Sequence, residues 1–134
     1  MATEDHKTLL RHLARAFNTR KLHALEALFS PHFVLHDPRQ PLWPAGRTGV
    51  RQLWTSLLHT APDLQLRMED LVSEGDKVVV RWTFQGTWAH ERPGHAPGEP
   101  FTAVRIAIYR IANGQIAEDW GIAQPLAPTH PPWH

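Results

Sequence analysis

The sequence contains no cysteine. That excludes disulfides, thiolate metal sites and cysteine nucleophiles, and it leaves the redox compartment open. It also lacks a long run of one charge. Fourteen Lys and Arg stand against thirteen Asp and Glu, for a formal net charge of +1, so the electrostatic footprint of a nucleic-acid binder is missing. The opening stretch, MATEDHKTLLRHLARAF, interrupts its apolar residues with charges, which fits neither a signal peptide nor a membrane span. A cytoplasmic protein with no nucleic-acid or membrane partner is the default expectation. There is no GxSxG elbow, phosphate loop or dinucleotide fingerprint, so hydride and phosphoryl chemistry have no support. Ten histidines invite a metal. No HxxxH pair sits on a helical stretch beside a carboxylate, however, and no metal site is expected.

What is present fits one compact domain of 134 residues, 42% of them hydrophobic, which is enough to bury a core. Leu9, Leu10, Leu13, Ala16 and Phe17 recur at helical spacing and predict an amphipathic helix from about Thr3 to Phe17. Leu22, Leu25, Leu28 and Phe29 predict a short second helix that stops before Pro31. A brief strand from Phe33 to Asp37 leads into a loop broken by Pro38, Pro41 and Pro44, and Thr48 is a fitting cap for a third helix whose stripe is Val50, Leu53, Trp54, Leu57 and Leu58.

After Pro62 the period becomes two. Strands are expected from Leu64 to about Ser73 and from Lys77 to Ala89, followed by a proline-rich loop, His90 to Pro100, placed to overhang a cavity. Phe101 to Gly121 reads as a long hairpin about Asn113-Gly114, a pair that tolerates the positive φ angles of a type I′ turn. Val104, Ile106 and Ile108 share its apolar face; Ala103, Arg105, Ala107 and Tyr109 share a mixed face that is either a pocket wall or a half-solvated surface. Residues 1–124 are read as the single domain and 125–134, with four prolines, as a non-helical tail. Helices first and an antiparallel sheet afterwards give an α+β class: a strongly curved sheet wrapped by three helices, with a cone-shaped hollow.

Several phrases then match a known pattern: VLHDP with the following GRTG at 34–49, APDLQL at 61–66, VSEGDKVVVRWTFQGTW at 72–88 and IYRIANGQIAEDWG at 108–121. Together they resemble the SnoaL-like branch of the nuclear transport factor 2-like superfamily, over nearly the whole chain. The resemblance implies a cone-like α+β barrel, a homodimer through the outer sheet face, and a deep apolar pocket for a hydrophobic polyketide- or terpenoid-like substrate. It also implies ring closure by an intramolecular aldol reaction without metal or organic cofactor. Relatives of that fold include ketosteroid isomerases, limonene epoxide hydrolases and non-catalytic binding domains.

Transferred along the NGQI turn, the cyclases' histidine falls at Ala107 and their aspartate at Gly121, so this chain lacks both. Asp119, with the same strand parity as Gly121, and Gln124 are the nearest polar candidates. Asp37, before Pro38, resembles the position of the ketosteroid isomerase base; its alternative is a turn-initiating Asp that bonds its own backbone. His36 has opposite parity and is expected to point outward unless a kink before Pro38 reverses it. Arg105 is either a donor to a developing oxyanion or an ion-pair partner of Asp119. The candidate catalytic set is therefore Asp37, Asp119, His36 and Arg105, and the candidate substrate-binding set is Trp54, Trp82, Phe84, Trp43, Tyr109, Ala107, Gly121 and Gln124. Epoxide hydrolysis, which needs an Asp-Arg-Asp set around a water, is the rival enzyme reading; simple binding is the rival outside enzymes.

Overall fold

The computed structural model describes residues 3–124. Its first helix, α1 (Thr3–Asn18), buries the expected stripe of Leu10, Leu13, Ala16 and Phe17. Arg20 ends the helix in the left-handed region at φ 60°. Its N–H reaches the Phe17 carbonyl at 3.0 Å and the Lys21 N–H reaches the Ala16 carbonyl at 2.8 Å, the two bonds of a Schellman stop. The Arg20 guanidinium then donates to the carbonyls of Phe17, Pro62 and Leu64, tying the end of α1 to the start of the sheet.

The second helix, α2 (Leu22–Ala27), is shorter than its leucine spacing suggests. The chain has already turned extended at Phe29, and β1 runs Phe29–His36 through Pro31, with its pairing to β5 irregular between Phe29 and Val34. Proline is tolerated there because β1 is a sheet edge, where a missing N–H breaks no ladder. Thr48 is not the cap of the third helix: α3 (Gly46–Thr60) begins two residues earlier, behind Ala45. The glycines of the GRTG phrase let this first turn pack against the proline loop. A Cβ at Gly49 would sit 1.9 Å from the Pro44 carbonyl oxygen, and the Gly49 carbonyl accepts the Trp43 indole N–H at 2.9 Å.

Four strands complete the sheet: β2 (Gln65–Glu74), β3 (Lys77–Thr87), β4 (Pro100–Ala112) and β5 (Gln115–Ala123). The spatial order is β1-β5-β4-β3-β2. Asn113 and Gly114 turn the β4–β5 hairpin at φ 53° and 73°, as the Asn-Gly pair predicts. The ladder is antiparallel except at one edge, where β1 runs parallel to β5 with Leu35 beside Asp119 and His36 beside Trp120. Register shifts between Met68 and Asp70 in β2 and between Ile116 and Glu118 in β5, opposite Ile111 and Arg110, add local twist and help the sheet close over its helices.

Strand parity sorts the two faces. Val78, Val80, Trp82 and Phe84 of β3 and Ala103, Ala107 and Tyr109 of β4 are buried on the inner face, under the helices. The outer face leaves Val72, Ile106, Ile108 and Ile122 exposed. The fold is thus the expected α+β cone of a curved sheet and three helices. Among the described residues no helix is long and apolar enough to cross a membrane. The tail reading for 125–134 falls outside the described residues.

Candidate active site

The hollow between the inner sheet face, α3 and the loop after β1 is a cavity of about 380 Å³. Its walls are mainly apolar, with Trp54 and Leu57 from α3 and Trp82 and Phe84 from β3. Set into them are Asp37, Arg105, Tyr109 and Asp119. Ala103, Arg105 and Tyr109 of the mixed face therefore belong to the cavity wall, which Val104 also borders, while Ile106 and Ile108 of the apolar face lie on the outside of the sheet.

The central feature is an ion pair. Arg105 on β4 stands opposite Ala123, and Asp119 on β5 stands opposite Tyr109. The two side chains meet along the strand direction: Arg105 Nη2 donates to Asp119 Oδ1 at 2.9 Å and Nη1 to Oδ2 at 3.3 Å. Both side chains are largely out of solvent, at 15% and 6% exposure. The lane between them is Gly121. A Cβ there would lie 2.3 Å from Arg105 Nη2 and 2.5 Å from Cζ, so the guanidinium occupies the space of the missing side chain. Gly121→Ala is expected to push the guanidinium off Asp119 and cost about 1–3 kcal/mol, the range for overpacking a close-packed site. A thermal melt that matches the unaltered protein would show that the lane has slack.

Burial pushes the Asp119 carboxyl above its ordinary value of 3.8, with Arg105 working against that rise. For Arg105, burial works towards losing the proton, but Asp119 and Tyr109 more than offset it and hold the guanidinium charged. Burial, reinforced by Asp119, also raises the Tyr109 phenol above its ordinary range. Tyr109 accepts the Trp82 indole N–H at 2.8 Å, which leaves its own O–H to donate.

Asp37 makes the local turn bond and also borders the cavity. Its Oδ1 accepts the Arg39 backbone N–H at 2.9 Å, the local turn bond, and its side chain, 11% exposed, also lines the cavity. The Arg39 guanidinium approaches both Asp37 oxygens at 3.5 Å. Trp43, Trp54, Trp82, Phe84, Tyr109 and Gln124 line the cavity too. The Gln124 side chain is partly committed, since its Oε1 accepts the Val104 N–H at 2.9 Å.

Three candidates fall elsewhere. His36 is on the outer face, its ring stacked on Trp120 at 4.6 Å and 5°, because β1 keeps its alternation up to Pro38. Ala107 is fully buried and Gly121 lies beneath Arg105; neither borders the cavity. In the other direction, Arg39 and Arg92 line the cavity without having been picked out by sequence. Both sit in proline-rich loops, where no periodicity says which way a side chain faces. Among the described residues no group of three or more His, Cys, Asp or Glu is placed to hold a metal.

The curved five-stranded sheet, closed by helices over a cavity with titratable groups in its wall, defines an α+β cone. More narrowly, the chain belongs to the SnoaL-like polyketide cyclase family, whose model matches residues 7–129. Among solved structures it is similar to TsrD from Streptomyces laurentii, with 28% identity, 95% of this chain and 93% of that chain covered, and a TM-score of 0.80. It is also similar to IdmH from Streptomyces antibioticus, a candidate polyketide cyclase, at 29% identity, 90% and 92% coverage and a TM-score of 0.75. A protein of ketosteroid isomerase-like fold from Catenulispora acidiphila, in complex with trimethylamine, shares the fold at 17% identity, 85% and 83% coverage and a TM-score of 0.70. A search of curated proteins gave no match.

Proposed function

We propose that this protein is a cyclase or isomerase that works by acid–base catalysis, without a metal or organic cofactor, on a hydrophobic polyketide- or terpenoid-like molecule. The observation that carries the reading is the buried Arg105–Asp119 pair in the wall of an apolar cavity that Asp37 also lines. Asp37 takes a proton from carbon next to a substrate carbonyl. The charge that develops on the carbonyl oxygen is met by N–H groups of Arg105, held in place by Asp119, and by the Tyr109 hydroxyl. In ring closure the enolate carbon bonds to a second carbonyl carbon, and the resulting alkoxide takes the proton back from Asp37. In isomerisation the proton returns to a different carbon. No step calls for an external electron acceptor. A binding-only role would suit a cavity filled by tryptophans and an exposed Asp37; the open cavity and the shielded Asp37 favour chemistry. Native mass spectrometry of freshly purified protein tests the substrate class: an oxygenated, largely apolar molecule is expected, and a strongly polar one would overturn the assignment.

A second reading, epoxide hydrolysis, is favoured by one observation: Asp37, Arg105 and Asp119 form an Asp-Arg-Asp set on one cavity. Turnover in oxygen-18 water separates the two, because hydrolysis puts solvent oxygen into the product and ring closure retains the substrate's own.

The exposed Ile106, Ile108 and Ile122 on the outer sheet face support a homodimer through that face, since a contiguous apolar patch is costly in water. Ile106→Lys is expected to convert a dimer to a monomer by analytical ultracentrifugation. A monomeric unaltered protein would remove the proposal.

A further inference from the structure

We propose that Arg92 forms an anion-binding subsite at this cavity, and that the substrate carries a carboxylate that pairs with it. The inference rests on the cavity being the substrate site. Three arginines and two aspartates line the cavity. Arg105 is paired with Asp119 and Arg39 approaches Asp37. Arg92 is left over, with no acidic group in salt-bridge range among the described residues. Its nearby acid Glu99 is engaged by the His95 ring. Glu91 borders a recess next door that Arg92 shares, together with His59 and His90, and it makes no salt bridge with Arg92 there.

Arg92 is not a loose surface arm. Its guanidinium lies 4.6 Å from the centre of the Trp88 ring, and Trp88 is itself 3% exposed and stacked on Phe101 at 4.0 Å. The loop that carries it is bonded shut. Arg92 and His95 exchange backbone hydrogen bonds of 3.1 and 2.8 Å, and Trp88 exchanges bonds with Gly98 and Glu99 at 2.7 and 3.0 Å. Stacking uses the face of a guanidinium and leaves its N–H edge free, and that edge matches the two oxygens of a carboxylate. Arg92 is half-buried at the cavity with no acidic partner among the described residues, and one singly charged ligand group would pair with it. A substrate so held has its carboxylate at Arg92 and its apolar body against Trp54, Trp82 and Phe84.

The test is calorimetric binding of 2-naphthoate and of neutral 2-naphthamide, probes of one shape that differ in charge. The unaltered protein is expected to bind the carboxylate about tenfold more tightly, as a charge-assisted contact implies. Salt at about 0.5 M is expected to shrink that preference. Arg92→Gln is expected to bind both probes alike, with amide affinity unchanged, and Arg92→Lys to keep part of the preference. Equal binding of the two probes by the unaltered protein, a preference indifferent to salt, or a preference that survives Arg92→Gln would overturn the subsite while leaving the cavity reading intact. Failure of both probes to bind would overturn the cavity reading and the subsite with it.

Discussion

Asp119→Asn is expected to lower the stability of the protein by about 3–5 kcal/mol, the usual cost of breaking a buried ion pair from one side. Asparagine retains an acceptor for Arg105 but removes the charge, and a guanidinium does not shed its proton to escape an apolar wall. The mirror variant, Arg105→Met, leaves Asp119 buried, and a carboxyl group has that escape. Its cost therefore depends on pH. Burial raises the folded pKa of Asp119 above the ordinary 3.8, so the folded state binds the proton more tightly than the unfolded chain. The stability this contributes is complete below 3.8 and is lost as pH rises through the raised folded value. Removing Arg105 raises that value further. Urea unfolding is thus expected to show Arg105→Met closer to the unaltered protein at about pH 5 than at about pH 8, and Asp119→Asn impaired at both. The double variant Arg105→Met, Asp119→Leu should regain much of the loss, because an apolar pair fills the wall without a charge to desolvate. An Asp119→Asn protein within about 1 kcal/mol of the parent would show that water reaches the pair freely.

Asp37→Asn is expected to act on the reaction and spare the fold. Asparagine Oδ1 accepts the Arg39 backbone N–H as aspartate does, so the local turn persists and stability should stay within about 0.5 kcal/mol. Without a carboxylate to take the proton, kcat on the molecule identified by mass spectrometry should fall by about 10²–10⁴. Full turnover in this variant would strip Asp37 of its role as base. A variant that instead unfolded would mean that the carboxylate charge, beside Arg39, serves the fold and not the chemistry.

How much of this was legible in the residues follows from which of them belong to a periodic element. On β4 and β5 the alternation put Arg105, Tyr109 and Asp119 on one side together, and they share a cavity. The same alternation kept His36 outward. Where the period is broken the reading failed. The leucines at 22, 25 and 28 continue a helical spacing, yet Phe29 and Pro31 join the sheet, because pairing with β5 outweighs a short helix's weak intrinsic preference. Thr48 has good cap chemistry, but the close approach of Gly49 to the Pro44 carbonyl starts the helix before it. Arg39 and Arg92 reach the cavity from loops whose direction is set by local turn bonds, which leave no period in the sequence. Gly121 shows the same limit from the other side. An absent side chain in a sequence marks a lost group, and only the folded chain brings a guanidinium into its place.

The parallel contact of β1 with β5 bears on how the molecule comes into being. Leu35 cannot meet Asp119 until the last strand exists, since α3 and three strands lie between the partners in the chain. Closing so long a loop is entropically slow and is rewarded late. The β2–β3–β4 meander can form from neighbouring segments, whereas the cavity wall that joins Asp37 to Asp119 has to wait for β5 to dock between β4 and β1. Folding intermediates of this chain should therefore carry a nearly complete sheet and no functioning site, and recovery of ligand binding should be the slowest signal after dilution from denaturant.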